Sequence, residues 1–553
     1  MLTRRGFHAL ALASAAGAAA RSAAASGAKA ETADLWLNRL TFGATPAARE
    51  EFRALGAAGW LERQLAAPGR PDPALARRLA AARLRLAYEA EDDGQGNAWP
   101  AADELRPLDW LEAPPAAAVE LVDYDRPMSY ARRIRPAEEV IAASLIRAVH
   151  AEAQLNEVMT QFWHDHFNVT ATKDESTAAF FAGYDAMLRR HALGSFRALL
   201  GGVARAPSML NYLNNSESRA SPANENFARE LLELHTLGAG NYLNDRYQDW
   251  HEVPGAEAGR AEGYIDQDVY EVARAFTGWT VGDGRWIAEG AAAPRSGEFF
   301  YVEAWHDPYQ KRILGREFPP NRAPLADGEE VLDLLATHPG TARFVTAKIA
   351  RRLLGDEPPA ALVERMAVAF LEAAGAPDQI ARVVRVLALS PEFAATPPSK
   401  LRRPFEYLAT LLRASGAEVD APEAAWRWEL GRAGWHQHEC GPPTGHPDVS
   451  GRWANTTVLA RLCDLALYAH EPWAGITSTD LAAVLPPGIG THGALAEFWA
   501  ERLGQADPAA RDLYLAGIGA GPGDPLPADS EERRQAAAIA FAIAAVGPGT
   551  LLR

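Results

Sequence analysis

Apolar residues recur along this chain at the spacing of a helix face. Leu155, Val158, Met159 and Phe162 stand at i, i+3, i+4 and i+7, and Val269, Val272, Ala273 and Phe276 repeat the pattern. Further amphipathic stretches cover 331–335 with 341–354, then 360–373 and 379–389. No run of apolar–polar alternation is long enough to predict a strand, so the pattern predicts an all-α fold, a large multi-helix domain with long irregular loops. Those loops are rich in Gly, Pro and polar residues, at 91–115, 241–263, 281–298, 317–328 and 431–449. The break at 317–328 divides an N-terminal helical region, 31–320, from a C-terminal one, 321–553.

Unusual polar residues concentrate in the N-terminal region. The run Phe162-Trp163-His164-Asp165-His166-Phe167-Asn168 closes a helix that carries Glu157 two turns earlier on the face of His164. His164 and His166 can share one metal only if the helix has ended, because neighbours at i and i+2 point apart. A second helix is predicted from the cap Asn224 to a left-handed Gly238. Beside its apolar face runs a stripe of Asn226, Glu230 and Glu233, with Arg229 flanking. A third segment repeats that grammar with Asp268, Glu271 and Arg274, which suggests cross-pairing of Arg229 with Glu271 and of Arg274 with Glu230. A fourth, Trp305-His306-Asp307-Pro308, offers a histidine with an adjacent acid.

Histidines and carboxylates from several helices are the material of a helical-bundle metal site. His164, His166, Glu230, Glu233, Glu271 and His306 are therefore candidate ligands for iron, manganese or zinc. Glu157, Asn226, Arg229, Asp268, Arg274 and Asp307 are candidate supporting residues. The competing reading makes the same groups buried salt bridges. The histidines of the 431–449 loop are expected to be exposed. No phosphate loop, dinucleotide fingerprint, His-Glu-x-x-His or nucleophile elbow occurs, so no catalytic residue is assigned.

A net charge of −16 argues against nucleic-acid binding. Thr3-Arg4-Arg5-Gly6-Phe7 followed by an Ala-rich stretch predicts a twin-arginine signal peptide over 1–30. The expected location is then periplasmic or extracellular, with no transmembrane segment in the mature chain. The two cysteines, Cys440 and Cys463, could form one disulfide in that compartment.

The ordered motifs resemble the domain of unknown function 1800 family, which consists of large bacterial proteins often carrying export signals. The resemblance is carried by Leu37 to Thr45, Phe162 to Val169, Asn224 to Leu234, Asp268 to Trp279, His306-Asp307, His338 to Phe344, Pro391 to Phe393 and Lys400 to Glu406. It implies no activity, since the family has none assigned. It does imply an envelope pathway shared with a co-encoded, exported sulfatase-like protein. Against the family pattern this chain inserts 241–263 before Tyr264, where the insert could cover a site. Two readings stay open: a metal-dependent hydrolase or oxidoreductase, or a non-catalytic binding and assembly protein acting with the sulfatase-like partner or an envelope polysaccharide. The second rests on loop aromatics such as Trp99, Trp250, Trp286, Trp305 and Trp435.

Overall fold

The computed structural model describes residues 32–553, apart from 68, 93, 95–97, 247–248, 420–424, 469–478 and 506–507. The twin-arginine motif and the expected signal peptide lie outside the described residues. The chain is mostly helical. Seven helices position the groups discussed below: α1 (Arg135–His150), α2 (Gln154–His166), α3 (Phe181–His191), α4 (Glu225–Glu230), α5 (Asp266–Ala275), α6 (Pro339–Leu353) and α7 (Pro404–Ser415).

The fold is not purely helical, which corrects the all-α expectation. Five short antiparallel strand pairs are present among the described residues. The main one joins β1 (Trp279–Asp283) to β2 (Arg295–Tyr301), with Trp279 opposite Tyr301 and Thr280 opposite Phe300. The first four residues of β1 are all buried; Trp279 and Val281 share one face and Thr280 lies on the other, an alternation too short to announce the strand. The bulge between Val281 and Asp283 breaks the period further.

One continuous cluster of buried apolar side chains runs from Ala33 to Leu551 and crosses the 317–328 loop without interruption. Polar contacts cross it too. Arg197 pairs with Glu329 and Asp333, and Arg403 of α7 pairs with Asp165 at the end of α2. α1 is almost wholly buried, and its polar side chains Arg135, Glu139 and Ser144 are buried with it. Among the described residues no helix is long and apolar enough to cross a membrane.

Candidate functional site

α2 ends at His166, and its two histidines diverge. His164 Nε2 donates to Asp185 of α3 at 3.0 Å. Asp185 also accepts from Arg189 at 2.8 Å and Arg147 at 3.1 Å, and Arg189 reaches on to Glu157. Burial alone would raise the Asp185 carboxyl, but the two guanidiniums and His164 hold it well below the carboxylate range. His164 and Glu157 are thus members of a buried ionic network. Against the His164 ring, 4.1 Å between centres, lies His438. Burial and the neighbouring imidazole keep His438 neutral, with Nε2 bonded to Ser144 Oγ at 2.8 Å.

His166 turns the other way, and its Nε2 donates to the His235 carbonyl at 3.1 Å. Its Nδ1 and that of His235 are buried without a partner. Burial, and then the charge of Lys348 on α6, pushes His166 well below its ordinary value and His235 to about 3. Lys348 is itself brought down to about 8 by burial, partly opposed by Asp165 and Asp448.

His235 belongs to a segment of unusual backbone. α4 is capped by Asn224, whose side chain accepts from Asn226 N at 2.9 Å, as the sequence predicts. After Glu230 the chain widens into a π-helix, Leu231–Thr236, and Thr236 Oγ1 bonds back five residues to the Leu231 carbonyl at 2.6 Å. Such inserted turns recur at functional sites. Gly238 closes the element at φ 86°, and Phe344 of α6 packs where a Cβ would stand. Glu230 and Glu233 flank the α-to-π junction, half-buried, and neither has a hydrogen-bonding or ion-pair partner among the described residues. Burial and then the charge of Glu233 raise Glu230 to about 6, against a smaller pull from Arg229.

Tyr264 stands beside this pair, stacked on Tyr242 at 5.2 Å, with its hydroxyl buried and unpartnered. Burial first, then the Glu233 charge, pushes that phenol upward. The 241–263 segment leaves and returns here. Leu243 N donates to the Tyr264 carbonyl at 2.8 Å and Tyr264 N to the Asn241 carbonyl at 3.0 Å, so its base is closed beside the acid pair.

The remaining candidates are fully engaged elsewhere. Arg274 binds Glu271 at 2.6 Å and Asp307 at 2.8 and 3.0 Å. Arg229 lies 3.5 Å from Asp266 and 3.7 Å from Glu225, so the expected cross-pairing of Arg229 with Glu271 and Arg274 with Glu230 does not form. Asp268 accepts from the Ile265 and Leu314 amides at 3.0 and 2.7 Å, a helix cap, though burial still raises it to about 6. Asn226 donates to the Leu213 carbonyl. His306 Nδ1 faces the Thr277 carbonyl at 3.0 Å and its Nε2 faces Asp327 at 3.2 Å. The six candidate metal ligands therefore occupy several separate environments. Among the described residues no three His, Cys, Asp or Glu side chains are grouped to hold one ion.

A family model described as "Protein of unknown function (DUF1800)" matches residues 35–544. The chain belongs to the DUF1800 family. No curated protein and no solved structure matches it.

In this DUF1800 chain two histidines of the late loop, His438 and His446, are buried against expectation, while His436 is exposed as expected. Asn168 donates to the Cys440 and Pro442 carbonyls at 3.0 Å, and Ala171 N donates to the His438 carbonyl at 2.8 Å. His446 stacks on Trp435 with 4.1 Å between ring centres. Cys440 and Cys463 are buried free thiols, raised by burial to about 11 and about 12, so the disulfide does not form. Sequence reasoning missed Asp185, Lys348 and the pairing of His438 with His164. The His-x-His-Glu run at 436–439 was the one available signal.

Gly445 holds this docking together. It has φ 71°, and a Cβ there would lie 2.1 Å from the Asp165 carbonyl oxygen. Gly445→Ala is expected to cost about 1–3 kcal/mol through strain and overpacking. Denaturant unfolding checks this, and an unchanged midpoint would mean that the loop does not seat on the end of α2.

Proposed function

We propose that this DUF1800 protein is a hydrolase of the cell envelope, with Glu230 as general acid and Glu233 as its base or nucleophilic partner. One observation carries the reading: two accessible, unpartnered carboxylates sit on an α-to-π junction, and one is held near pH 6 by burial and by the other. Two acids whose environments separate their proton affinities can divide acid and base work between them. Protonated Glu230 would donate to the leaving oxygen of a glycosidic or ester link while Glu233 directs water or attacks. The unpartnered buried hydroxyl of Tyr264 beside the pair supports the same reading.

The metal-dependent version of this reading loses support, because His164 and His166 face Asp185 and a carbonyl, and Glu271 and His306 are tied into ion pairs. The envelope location rests on the Thr3-Arg4-Arg5-Gly6-Phe7 motif. The test is release of reducing ends or acids from a panel of envelope polysaccharides and their esters. Wild-type protein should act on one class, Glu230→Gln should be inactive on it, and activity should survive chelator treatment. Activity that is lost on chelation and restored by a metal would overturn the cofactor-free mechanism. Equal turnover by Glu230→Gln would overturn the site.

A further inference from the structure

A second place on the molecule has the construction of a ligand site. Two cavities of about 760 and 780 Å³ share Tyr124, Glu217, Arg219, Asp283 and Arg285 in their walls and so form one trough. Each falls within the range of small-molecule sites. Neither Glu230 nor Glu233 lines it, so a ligand bound there is independent of the hydrolytic reading.

Its aromatic groups are exposed yet fixed. Tyr124 and Trp286 are 61% and 62% exposed, among the most open large apolar side chains of the chain. The Arg133 guanidinium lies 5.0 Å from the centre of the Tyr124 ring. That guanidinium is locked by the Leu121, Asp123 and Arg126 carbonyls at 2.5, 3.2 and 2.7 Å. Arg219, exposed and without an ion-pair partner among the described residues, lies 4.0 Å from the Trp305 ring centre and 5.9 Å from that of Trp286. Tyr124 is thus held by a cation that does not line the trough, and Trp286 stands beside Arg219, a guanidinium of the trough wall itself.

The floor is equally fixed. Arg285 grips Asp283 through two nitrogens at 2.9 and 2.7 Å and donates to the Ser216 carbonyl at 2.8 Å. Thr280 of β1 donates to the same carbonyl at 2.6 Å, and Ala220 N donates to the Trp305 carbonyl at 2.8 Å. Amide and hydroxyl side chains, Asn211, Asn214, Ser216 and Asn224 among them, complete the wall.

Open rings for stacking, carboxylates and amides for hydroxyl recognition, and a rigid floor together fit a saccharide. The charge selects among saccharides. Five carboxylates line the trough against three guanidiniums, and two of the three guanidiniums, Arg285 and Arg295, are already paired with acids. We infer that this trough binds a neutral or amino-substituted oligosaccharide, stacked on Trp286 and Tyr124, and that it rejects sulfated or uronate chains.

The test is titration calorimetry of the full mature chain with hexasaccharides of glucose, N-acetylglucosamine and glucosamine, and with a sulfated hexasaccharide as the anionic probe. Saturable binding of a neutral or amino probe is expected, at least tenfold tighter than the sulfated one. Trp286→Ala and Tyr124→Ala should each weaken it about tenfold. Both residues are exposed, so unchanged melting curves should accompany the loss. Tighter binding of the sulfated probe, unaltered affinity in both variants, or no saturable binding of any probe would overturn the inference.

Discussion

Glu406→Ala should destabilise the fold by about 3–5 kcal/mol, the magnitude expected when one member of a buried charge network is removed and its partners remain. Glu406 is the anionic hub of such a network. It accepts from Arg352 and from Arg403 at 2.8 Å and lies 3.6 Å from Arg553. Arg403 continues to Asp165, while Lys400 joins Asp356 and Asp448. All three guanidiniums around Glu406 are buried, so none can return to water when the carboxylate goes.

The same geometry fixes the pH dependence. Burial would raise Glu406, but the three arginines outweigh it and hold the carboxyl well below its ordinary 4.5. The unfolded chain therefore takes up a proton in a range where the folded chain stays ionised. The stabilisation is complete above the ordinary carboxylate range and is lost as pH falls below it. Urea unfolding of wild type between pH 7 and 3 should show this loss, and the Glu406→Gln variant should show less of it. A variant destabilised by under about 1 kcal/mol, with the acid limb of wild type, would mean that the network is solvated and the hub role is wrong.

The helical framework was legible because amphipathic spacing survives wherever a helix has one wet side. Asn224 and Gly238 marked a helix start and an element end correctly, since capping chemistry is local. β1 was illegible because its apolar–polar alternation, Trp279-Thr280-Val281, spans too few residues to announce a strand, and a bulge follows it. The candidate site was half legible. Residue types and spacings singled out Glu230 and Glu233, but nothing in Leu231–Thr236 announces a π-turn, a product of tertiary packing. The partners of the other acids lie far along the chain: Asp307 for Arg274, Asp185 for His164, and His438 for both Ser144 and the His164 ring. Spacing cannot show contacts of that range, so buried ion pairs and metal ligands looked alike in sequence.

For Glu230 the expected result is a loss of about 10²–10⁴-fold in kcat on Glu230→Gln, the range for removing a positioned general acid. The amide keeps the shape but has no acidic proton to give. Wild-type activity should fall as pH rises through about 6, because only protonated Glu230 can donate. Glu233→Gln removes the neighbouring negative charge that helps raise Glu230, so any residual activity should lose its alkaline limb at lower pH. Stability supplies the control. A carboxyl raised in the folded state disfavours folding once ionised, and that penalty grows as pH rises from the unfolded value toward and past about 6. Glu230→Gln should therefore melt no lower than wild type at pH 8 while being inactive there and at pH 6. A structural acid would do the reverse, lowering the melting temperature at pH 8 and leaving the pH–rate profile in place. Sites that sacrifice stability for chemistry show this opposition, and it separates a working carboxylate from a buried anchor such as Glu406.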